Sequence, residues 1–401
     1  MPLITRRACL AAAMVGAAPV LRAQAAAWQV TSPAVAEPIA QLRPAESTGW
    51  IAVGTGGGLW WLRAPAAPLR LARGIDPRTP IDAAHGRVVA RRADGRLWIG
   101  AAGGEAAVSA AAVARDSGFA TLPLGVIAVE GEGEIARLVR LEPHSRGRWQ
   151  VTARSRDAVL PDARPVQVDL EGSGDAGHIA VLGGPDTLRY AHAVLGDGIE
   201  ATRVLYLERH GLEPLRSLDL VAPHVFEDNQ LRPWRDSARV ALVCVRSGPQ
   251  GSQLAAIEAD PVRPQALRIA ALGDPIGTPM RWMSPSTDGR RLLSVHTPHI
   301  GGMLHRYRRE AGRLLSTRLA DGVSNHAIGA HDLDLSAWLG HRYAIAESSR
   351  RILRSFDLER GCELAALELP AALRAISADA ERRTIAAVLE DGSLRLLAPR
   401  D

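Results

Sequence analysis

Apolar residues occur along this chain in short runs of five to eight, and glycine, proline or Asp-Gly turns separate these runs. From residue 26 onward, almost no stretch keeps the period of three to four residues that an amphipathic helix requires. Short apolar runs bounded by turn residues are typical of β-strands. The pattern therefore predicts an all-β protein.

A unit of one turn and one strand recurs, as in DGRLWIGA from Asp94, DGRRLLSV from Asp288 and DGSLRLLA from Asp391. Asp-Gly supplies the positive φ angles of a tight hairpin, and the apolar run enters the next strand. The second strands of a repeating sheet are predicted to begin near Trp50, Arg87, Val126, Arg189, Arg239, Arg291, Arg342 and Thr384. Their mean spacing of about 48 residues is close to the length of a four-stranded propeller blade. We therefore predict a β-propeller of seven or eight four-stranded blades, because the long step after Val126 is compatible with both numbers.

The two ends of the body supply complementary parts of one sheet. Residues 28–35 contain a single strand without a neighbour, whereas residues 373–398 contain three strands. Pairing of the N-terminal strand with the C-terminal strands would close the ring and leave no open edge. Residues 106–115 are compatible with either a short helix or an edge strand.

The first 25 residues have the features of an export signal. A basic pair, Arg6-Arg7, precedes an apolar run from Ala8 to Leu21, and Ala23-Gln24-Ala25 follows as a cleavage site. The arginine pair is similar to that of a twin-arginine signal. The apolar run is too short to span a bilayer comfortably. We expect cleavage near Ala25, a periplasmic location without stable membrane insertion, and one propeller domain over residues 26–401.

The charges are nearly balanced. All 48 basic residues are arginines, and three of them precede residue 26, so 45 remain in the body beside 43 acidic residues. This balance does not indicate a nucleic-acid partner. Only Cys244 and Cys362 follow the signal. Two buried free thiols are expected, with one disulfide as the alternative.

Residues 221–401 contain HVFEDNQLRPWRDSARVALVCVRS from His224, PIGTPMRW from Pro275, TPHIGGMLHRYR from Thr297 and GVSNHAIGAHDLDLSAW from Gly322. This part of the chain resembles the integrin-like FG-GAP or VCBS type of bacterial β-propeller. The resemblance implies an Asp-rich calcium loop before the second strand of each blade. Here the corresponding loops read WRDSAR, SPSTDGR, SAWLGHR and SADAERR, and none of these stretches contains more than two carboxylates. Calcium requires six or more oxygen ligands, so these loops are degenerate.

Six of the twelve histidines lie between residues 281 and 341. One reading of this region is a polar funnel that binds a small anionic or sugar-like ligand, and another is a metal site of several imidazoles. A third is a set of hydrogen bonds that lock neighbouring blades together. No metal-binding motif or cofactor motif is present, so no metal and no cofactor are predicted. The predicted ligand-binding residues are Arg281, Trp282, His296, His299, Asn325, His326 and His331.

Other residue groups indicate no chemistry by themselves. Ser324, His326 and Asp332 are the residue types of a nucleophilic triad, but no Gly-x-Ser-x-Gly elbow surrounds the serine. Asp332 and Asp334 alternate with leucines along a strand-like run, so both carboxylates fall on one side of a strand. A solvated edge or pairing with arginines between blades is expected, and ligation of a cation is the alternative. The glycine run from Gly54 is followed by a strand rather than a helix, so it predicts a hairpin instead of a phosphate loop.

These patterns favour an exported, monomeric and non-enzymatic propeller that binds or scaffolds a periplasmic protein or a small polar ligand. The alternative is a periplasmic enzyme with an active site of histidine and arginine residues in the propeller channel.

Overall fold

A computed structural model describes residues 28–400 except residues 46–48, 64, 102–103, 146, 175–176 and 237–238. The predicted export signal, residues 1–25, lies outside the described residues. The described residues form 34 strands and one short 3-10 helix, Gly133–Ile135, which confirms the all-β prediction. No helix in this part of the chain has the length and apolarity needed to cross a bilayer.

The first strand, β1 (Trp28–Thr31), belongs to the last blade, and four regular blades follow it. Blade 1 contains β2 (Ile39–Pro44), β3 (Trp50–Gly54), β4 (Leu59–Leu62) and β5 (Leu69–Ala72). Blade 2 contains β6 (Asp82–Ala84), β7 (Arg87–Arg91), β8 (Arg96–Gly100) and β9 (Ala107–Ala112). Blade 3 contains β10 (Ala120–Leu122), β11 (Gly125–Glu130), β12 (Arg137–Ser145) and β13 (Arg148–Arg154). Blade 4 contains β14 (Val166–Val168), β15 (His178–Asp186), β16 (Glu200–Leu207) and β17 (Pro214–Asp219).

The next three blades include two whose first strand is interrupted. Blade 5 contains β18 (Val225–Phe226), β19 (Arg232–Asp236), β20 (Arg239–Ser247), β21 (Gln253–Ala259) and β22 (Leu267–Gly273). Blade 6 contains β23 (Met283–Thr287), β24 (Leu292–His296), β25 (Met303–Glu310) and β26 (Arg313–Asp321). Blade 7 contains β27 (Val323–Ser324), β28 (Ser336–Leu339), β29 (Arg342–Glu347), β30 (Ile352–Asp357) and β31 (Cys362–Glu368).

Blade 8 closes the ring, as the sequence predicts. It contains β32 (Leu373–Asp379), β33 (Thr384–Leu389), β34 (Leu394–Pro399) and the N-terminal β1. The antiparallel β1 pairs Trp28 with Pro399 and Thr31 with Leu396. The propeller therefore has eight blades.

The hydrophobic core lies between the blades. Each cluster of buried apolar side chains combines residues from the facing sheets of adjacent blades, such as Trp50 of blade 1 with Val388 of blade 8. Trp28 of β1 packs with Leu353 of blade 7 and Leu397 of β34. The packing continues around the whole ring, so neighbouring sheets stabilise each other.

The direction of the strands defines two faces. The upper face carries the connections between blades and the hairpins between second and third strands, whereas the lower face carries the other hairpins. In blade 7, β27 and β28 both pair with β29, and residues 325–335 leave the sheet between them. We call residues 325–335 the axial segment, because first strands line the axis of a propeller.

Seven of the eight predicted second strands begin at or within one residue of the expected position, but Arg189 is wrong. The second strand of blade 4 is His178–Asp186, and Arg189 lies in the loop that follows it. This loop resembles a strand in sequence because Tyr190, Val194 and Leu195 are buried. Residues 107–112 form a strand, so the stretch 106–115 contains a strand rather than a short helix.

The prediction of two buried thiols is partly wrong. Cys244 is buried in β20, whereas Cys362 is exposed at the start of β31, and both are free. Cys362 is the first residue of β31, the outer strand of blade 7, where no neighbouring blade covers it.

Candidate functional site

The axial segment reaches across the central channel of the propeller. The Asp332 carboxylate accepts hydrogen bonds from Arg43 of blade 1 at 3.1 Å and from Arg164, which precedes the first strand of blade 4, at 3.2 Å. Burial alone would raise the pKa of Asp332, but the two guanidinium groups lower it to about 2. The predicted pairing of Asp332 with arginines is therefore confirmed.

Asp334 has different surroundings. It accepts hydrogen bonds from the hydroxyl groups of Ser286 in blade 6 and Ser336 in blade 7. Burial raises the pKa of Asp334 to about 6, despite these hydrogen bonds. No arginine forms an ion pair with it among the described residues, so the expected arginine partner is wrong for this carboxylate.

Two predicted site residues from different blades meet on the upper face. His299, in the hairpin between β24 and β25, lies with its Nε2 atom 2.9 Å from Nδ1 of His326, in the axial segment. His326 Nε2 in turn bonds to the carbonyl oxygen of Ala330 at 2.8 Å. Burial lowers the pKa of His326 to about 4 and also lowers the pKa of His299. Both imidazoles are therefore neutral near pH 7.

Trp282 holds this pair in place. Its indole ring is buried, stacks on His299 with an interplanar angle of 10° and lies 4.8 Å from His326 between ring centroids. The indole Nε1 donates to the carbonyl oxygen of Glu227 at 2.9 Å. Trp282, His299 and His326 therefore form one aromatic group.

The remaining predicted residues lie at different distances from this group. Asn325 is fully buried, and its Nδ2 donates to the carbonyl oxygen of Ser284 at 3.3 Å. Arg281 is half-buried next to Trp282 and bonds to the carbonyl oxygen of Met280. His331 lies farther along the axial segment, with different partners.

His296 does not belong to this group. It stacks on His305 with ring centroids 3.9 Å apart, and its Nε2 lies 2.6 Å from the hydroxyl group of Tyr307. Burial, followed by the charge of His305, lowers the pKa of His296 to about 3. The prediction that His296 joins His299 and His326 is wrong, because the register of the β24–β25 hairpin directs it toward β25.

His331 lies beside two carboxylates that the sequence analysis did not identify. Its Nδ1 is 3.3 Å from Oδ2 of Asp162, in the connection to blade 4, and Asp197 of the β15–β16 loop completes the group. The hydrogen bond to Asp162 raises the pKa of His331, and burial raises the pKa of Asp197. These residues come from three distant segments, so no local spacing in the sequence signals them.

A second polar group was also missed. Glu227 is fully buried and contacts Nδ1 of His192 with one oxygen and the hydroxyl group of Ser247 with the other. Burial raises the pKa of Glu227, and burial together with the charge of Glu227 raises the pKa of Glu200. Glu227 and the neighbouring Asp228 follow the two-residue strand β18, so the break in a first strand is the signal that would have revealed them.

Neither group of serine, histidine and carboxylate has the geometry of a nucleophilic triad. Ser247 donates to Glu227 rather than to His192. Ser324 donates to the backbone oxygen of His326 rather than to its ring. A triad requires an imidazole that accepts the proton of the hydroxyl group, and neither serine has one.

The upper face also exposes large apolar side chains that the sequence analysis did not identify. Leu188 is 91% exposed in the β15–β16 loop, and Ile328 is 74% exposed in the axial segment. Loops and connections of blades 3 to 6 add further members to the set, which is Ile135, Leu188, Val221, Met280, Ile300 and Ile328. We call these six side chains the apolar rim. They belong to segments of blades 3 to 7, the same part of the ring that supplies the polar groups.

Comparisons with known proteins identify the architecture. The fold is similar to BamB from Moraxella catarrhalis, with a TM-score of 0.56 and 14% identity over 92% of this chain and 98% of that one. It is also similar to the C-terminal WD40 domain of Sif2, with a TM-score of 0.61 and 12% identity over 93% and 99% of the two chains. For Saccharomyces cerevisiae Sqt1, the TM-score is 0.57 and the identity is 10% over 93% and 98%. The protein is therefore a β-propeller by fold.

No protein-family model and no curated protein matches the sequence. Solved structures at 10 to 14% identity establish the fold alone. Arguments about function must therefore come from the surface and the polar groups of this chain.

Proposed function

We propose that the protein is an exported binding module that docks a partner protein on the upper face of its propeller. The apolar rim is the observation that carries this proposal. Soluble proteins seldom gather exposed apolar side chains in one region unless the region binds a partner. Five of the ten large apolar side chains that are exposed among the described residues lie in upper-face loops and connections, and a sixth, Ile328, lies in the axial segment, which bonds to the β15–β16 loop through Gly329 and Val194.

The polar groups inside the rim fit a protein interface. Arrangements of this kind combine apolar and aromatic contact residues with polar groups that fix the orientation. His299 is half-buried beside the buried Trp282, so it is accessible from the same side as Ile300 and Ile328. Within the rim, Arg281, Trp282, His299, Asn325, His326 and His331 remain the proposed ligand-binding residues, whereas His296 is omitted.

Binding is favoured over catalysis for a geometric reason. In the residue groups around Ser247 and Ser324, each hydroxyl group donates to a carboxylate or a backbone oxygen. A serine nucleophile needs a base that removes its proton. Neither Ser247 nor Ser324 therefore supports the alternative of an enzyme in the channel.

Site-specific photocrosslinking tests the proposal. A photoreactive amino acid placed at position 328 or 188 should give a discrete adduct with one protein in cells. The controls are positions 124 and 262, whose leucine and valine are 71% and 83% exposed on lower-face turns. These positions should give no such adduct.

The adduct identifies the partner, and purified components then give affinities. Leu188→Ser and Ile328→Ser should each weaken binding about tenfold, because each loses a buried apolar contact. Leu124→Ser should leave the affinity unchanged. Equal adduct yields from the upper-face and lower-face positions would contradict the proposal. So would an affinity that Leu188→Ser and Ile328→Ser leave unchanged. Retention of a small polar molecule without any protein adduct would favour the small-ligand alternative.

We also propose export through the arginine pair and function as a monomer. A twin-arginine receptor reads the guanidinium groups, whereas the general secretory route requires only positive charge. Changing both Arg6 and Arg7 to Lys should therefore leave unprocessed protein in the cytoplasm. Normal periplasmic accumulation of that variant would refute this route. Light scattering measures the molar mass in solution and should give the mass of a single chain.

We also propose that the protein is a propeller of the FG-GAP or VCBS type that has lost its functional calcium loops. The carboxylates in two of the corresponding loops already have partners. Asp288 accepts hydrogen bonds from the backbone of Arg290 and Arg291, and Asp379 pairs with Arg382. These contacts occupy the oxygen atoms that a calcium ion would need.

A further inference from the structure

We propose that Asp162, Asp197 and His331 form a binding site for one divalent transition-metal ion on the upper face. The three residues belong to the connection before blade 4, the β15–β16 loop and the axial segment. One donor atom from each residue lies within 4.8 Å of the others. No metal-binding motif in the sequence joins these three residues, and this proposal goes beyond the docking of a partner.

The spacing of the donor atoms suits a metal ion. The Nδ1 atom of His331 and the Oδ2 atom of Asp162 are 3.3 Å apart. Two ligands that bind zinc at about 2.0 to 2.1 Å in a tetrahedral arrangement lie about 3.3 Å apart. Asp197 lies in a loop between Gly196 and Gly198, so its carboxylate can approach the other two with a small movement of that loop.

Among the described residues, His331 is the one cationic group within ion-pair distance of the carboxylates of Asp162 and Asp197, and its ion pair is with Asp162. The chain carries 48 arginines, yet neither Asp162 nor Asp197 forms an ion pair with an arginine among the described residues. Asp162 is only 6% exposed at its side chain. Buried carboxylates are normally paired with cations or coordinate metals, and a bound divalent cation would provide the missing positive charge.

Asn229 gives an independent indication. Its side chain is fully buried and directed at the group, with Nδ2 3.2 Å from Asp162 Oδ2 and 2.9 Å from the carbonyl oxygen of His331. The Oδ1 atom of the same amide has no hydrogen-bond partner in the described part of the chain. An unpaired buried acceptor is costly. In this orientation the amide faces the group with Nδ2, and rotation of the amide by 180° would turn Oδ1 toward Asp162 and His331 instead. A metal ion there, or a water molecule bound to it, would then satisfy this oxygen.

The donor set selects the class of ion. Two carboxylates and one imidazole suit zinc, manganese or iron in the divalent state better than calcium, which prefers oxygen ligands alone. Three protein ligands leave at least one coordination position open. Asp162 and Asp197 also line a cavity of about 500 Å³ together with Arg91, Arg115 and Asp116. The open position is therefore within reach of a ligand that enters this cavity.

Zinc titration of the full mature chain, after removal of metal, tests the site. Competition with a chromogenic chelator should show one tight zinc ion per chain. Asp197→Asn and His331→Gln should each weaken binding at least tenfold, because each removes one of three protein ligands. Asp116→Asn removes a carboxylate from the same cavity without removing a proposed ligand, and His299→Gln removes an imidazole from the neighbouring pair. Both controls should bind zinc like the wild type.

X-ray absorption at the zinc edge provides a second measurement on the unmodified chain. It should show one imidazole and otherwise oxygen ligands. Asp197→Asn lies in a surface loop and carries the test if His331→Gln fails to fold. Two imidazoles in the spectrum, loss of zinc binding in His299→Gln but not in His331→Gln, or unchanged affinity in Asp197→Asn would each overturn the proposal. So would the absence of tight zinc binding by the wild type.

Discussion

Asp332, in the axial segment of blade 7, forms an ion pair with Arg43, in the first strand of blade 1, with 3.1 Å between Oδ1 and Nη2. Blade 8 separates these two blades in the ring. The same carboxylate oxygen also pairs with Arg164 beside blade 4. One side chain therefore connects three blades through the channel.

Replacement of Asp332 by Asn should lower the free energy of unfolding by about 1 to 3 kcal/mol, because two guanidinium groups lose their charged partner. Denaturant unfolding at neutral pH measures this change. Asp94→Asn is the matched control, since Asp94 forms an exposed pair with Arg92 that should contribute less than about 1 kcal/mol. Equal effects of the two substitutions would show that the axial segment is held in another way.

Ring closure should depend on Trp28. This side chain is 4% exposed between blades 7 and 8. Trp28→Ala should cost about 3 to 5 kcal/mol, as expected for loss of a large buried aromatic side chain. Gln29→Ala, at the next and exposed position of the same strand, should change little. Thermal and denaturant unfolding check both variants, and a stable Trp28→Ala protein would mean that β1 does not hold the ring closed.

The stability of the propeller should fall as the pH falls below about 6.5. The pKa of His296 is lowered to about 3 in the folded protein, whereas an unfolded histidine titrates near 6.5. As the pH falls, protons therefore bind to the unfolded chain before they bind to the folded protein. The free energy of unfolding decreases as a result between pH 6.5 and pH 3. At pH 4.5 the loss from His296 should be about 2 to 3 kcal/mol.

Unfolding curves at pH 7.5 and pH 4.5 measure this difference. His296→Gln should show a smaller pH dependence than the wild type, because glutamine does not titrate. His144→Gln changes an exposed histidine and should keep the full dependence. An unchanged pH dependence in His296→Gln would assign the effect to other groups.

The two histidines of the aromatic group should differ in their contribution to stability. His326 is buried and bonds to Ala330, so His326→Ala should lower the free energy of unfolding by about 1 to 3 kcal/mol. His299 is half-buried, and His299→Ala should cost less than about 1 kcal/mol while weakening partner binding. Crosslinking yield at position 328 measures the second effect. A strong loss of stability in His299→Ala with normal crosslinking would indicate that this histidine only locks the blades.

Calcium should not stabilise the fold. Asp288 and Asp379 already bond to arginines and to the backbone of their own turns. Addition of calcium to metal-free protein should therefore leave the melting temperature unchanged within about 1 °C. An increase of several degrees would reveal oxygen ligands outside these loops.

The sequence predicted the architecture well because strand positions depend on local patterns. Short apolar runs located second strands such as those that begin at Arg87 and Thr384, and Asp-Gly turns marked the hairpins before strands such as β8 and β34. The failure at Arg189 arose where a loop buries Val194 and Leu195 against another blade. An apolar run cannot by itself distinguish a strand from a loop that is covered by the fold.

The candidate site was predicted only in part. His299 and His326 were expected to meet across neighbouring blades, and they do. The position of His296 depends on hairpin register, which places it diagonal to His305, and hydrophobic periodicity does not determine register. Asp162 and Asp197 reach the axis from loops of blade 4, where local spacing carries no information about three-dimensional contacts.

The pairing of β1 with β34 determines when the protein can complete its folding. Among the described strands, β1 leaves the ribosome before all others, and its partner β34 leaves after all others. At about 5 to 20 residues per second, synthesis of the chain takes about 20 to 80 s. During that time Trp28 has no partner strand, so the nascent chain presents an apolar side chain to chaperones. A transporter that accepts only folded cargo can therefore act on this propeller only after β34 has left the ribosome.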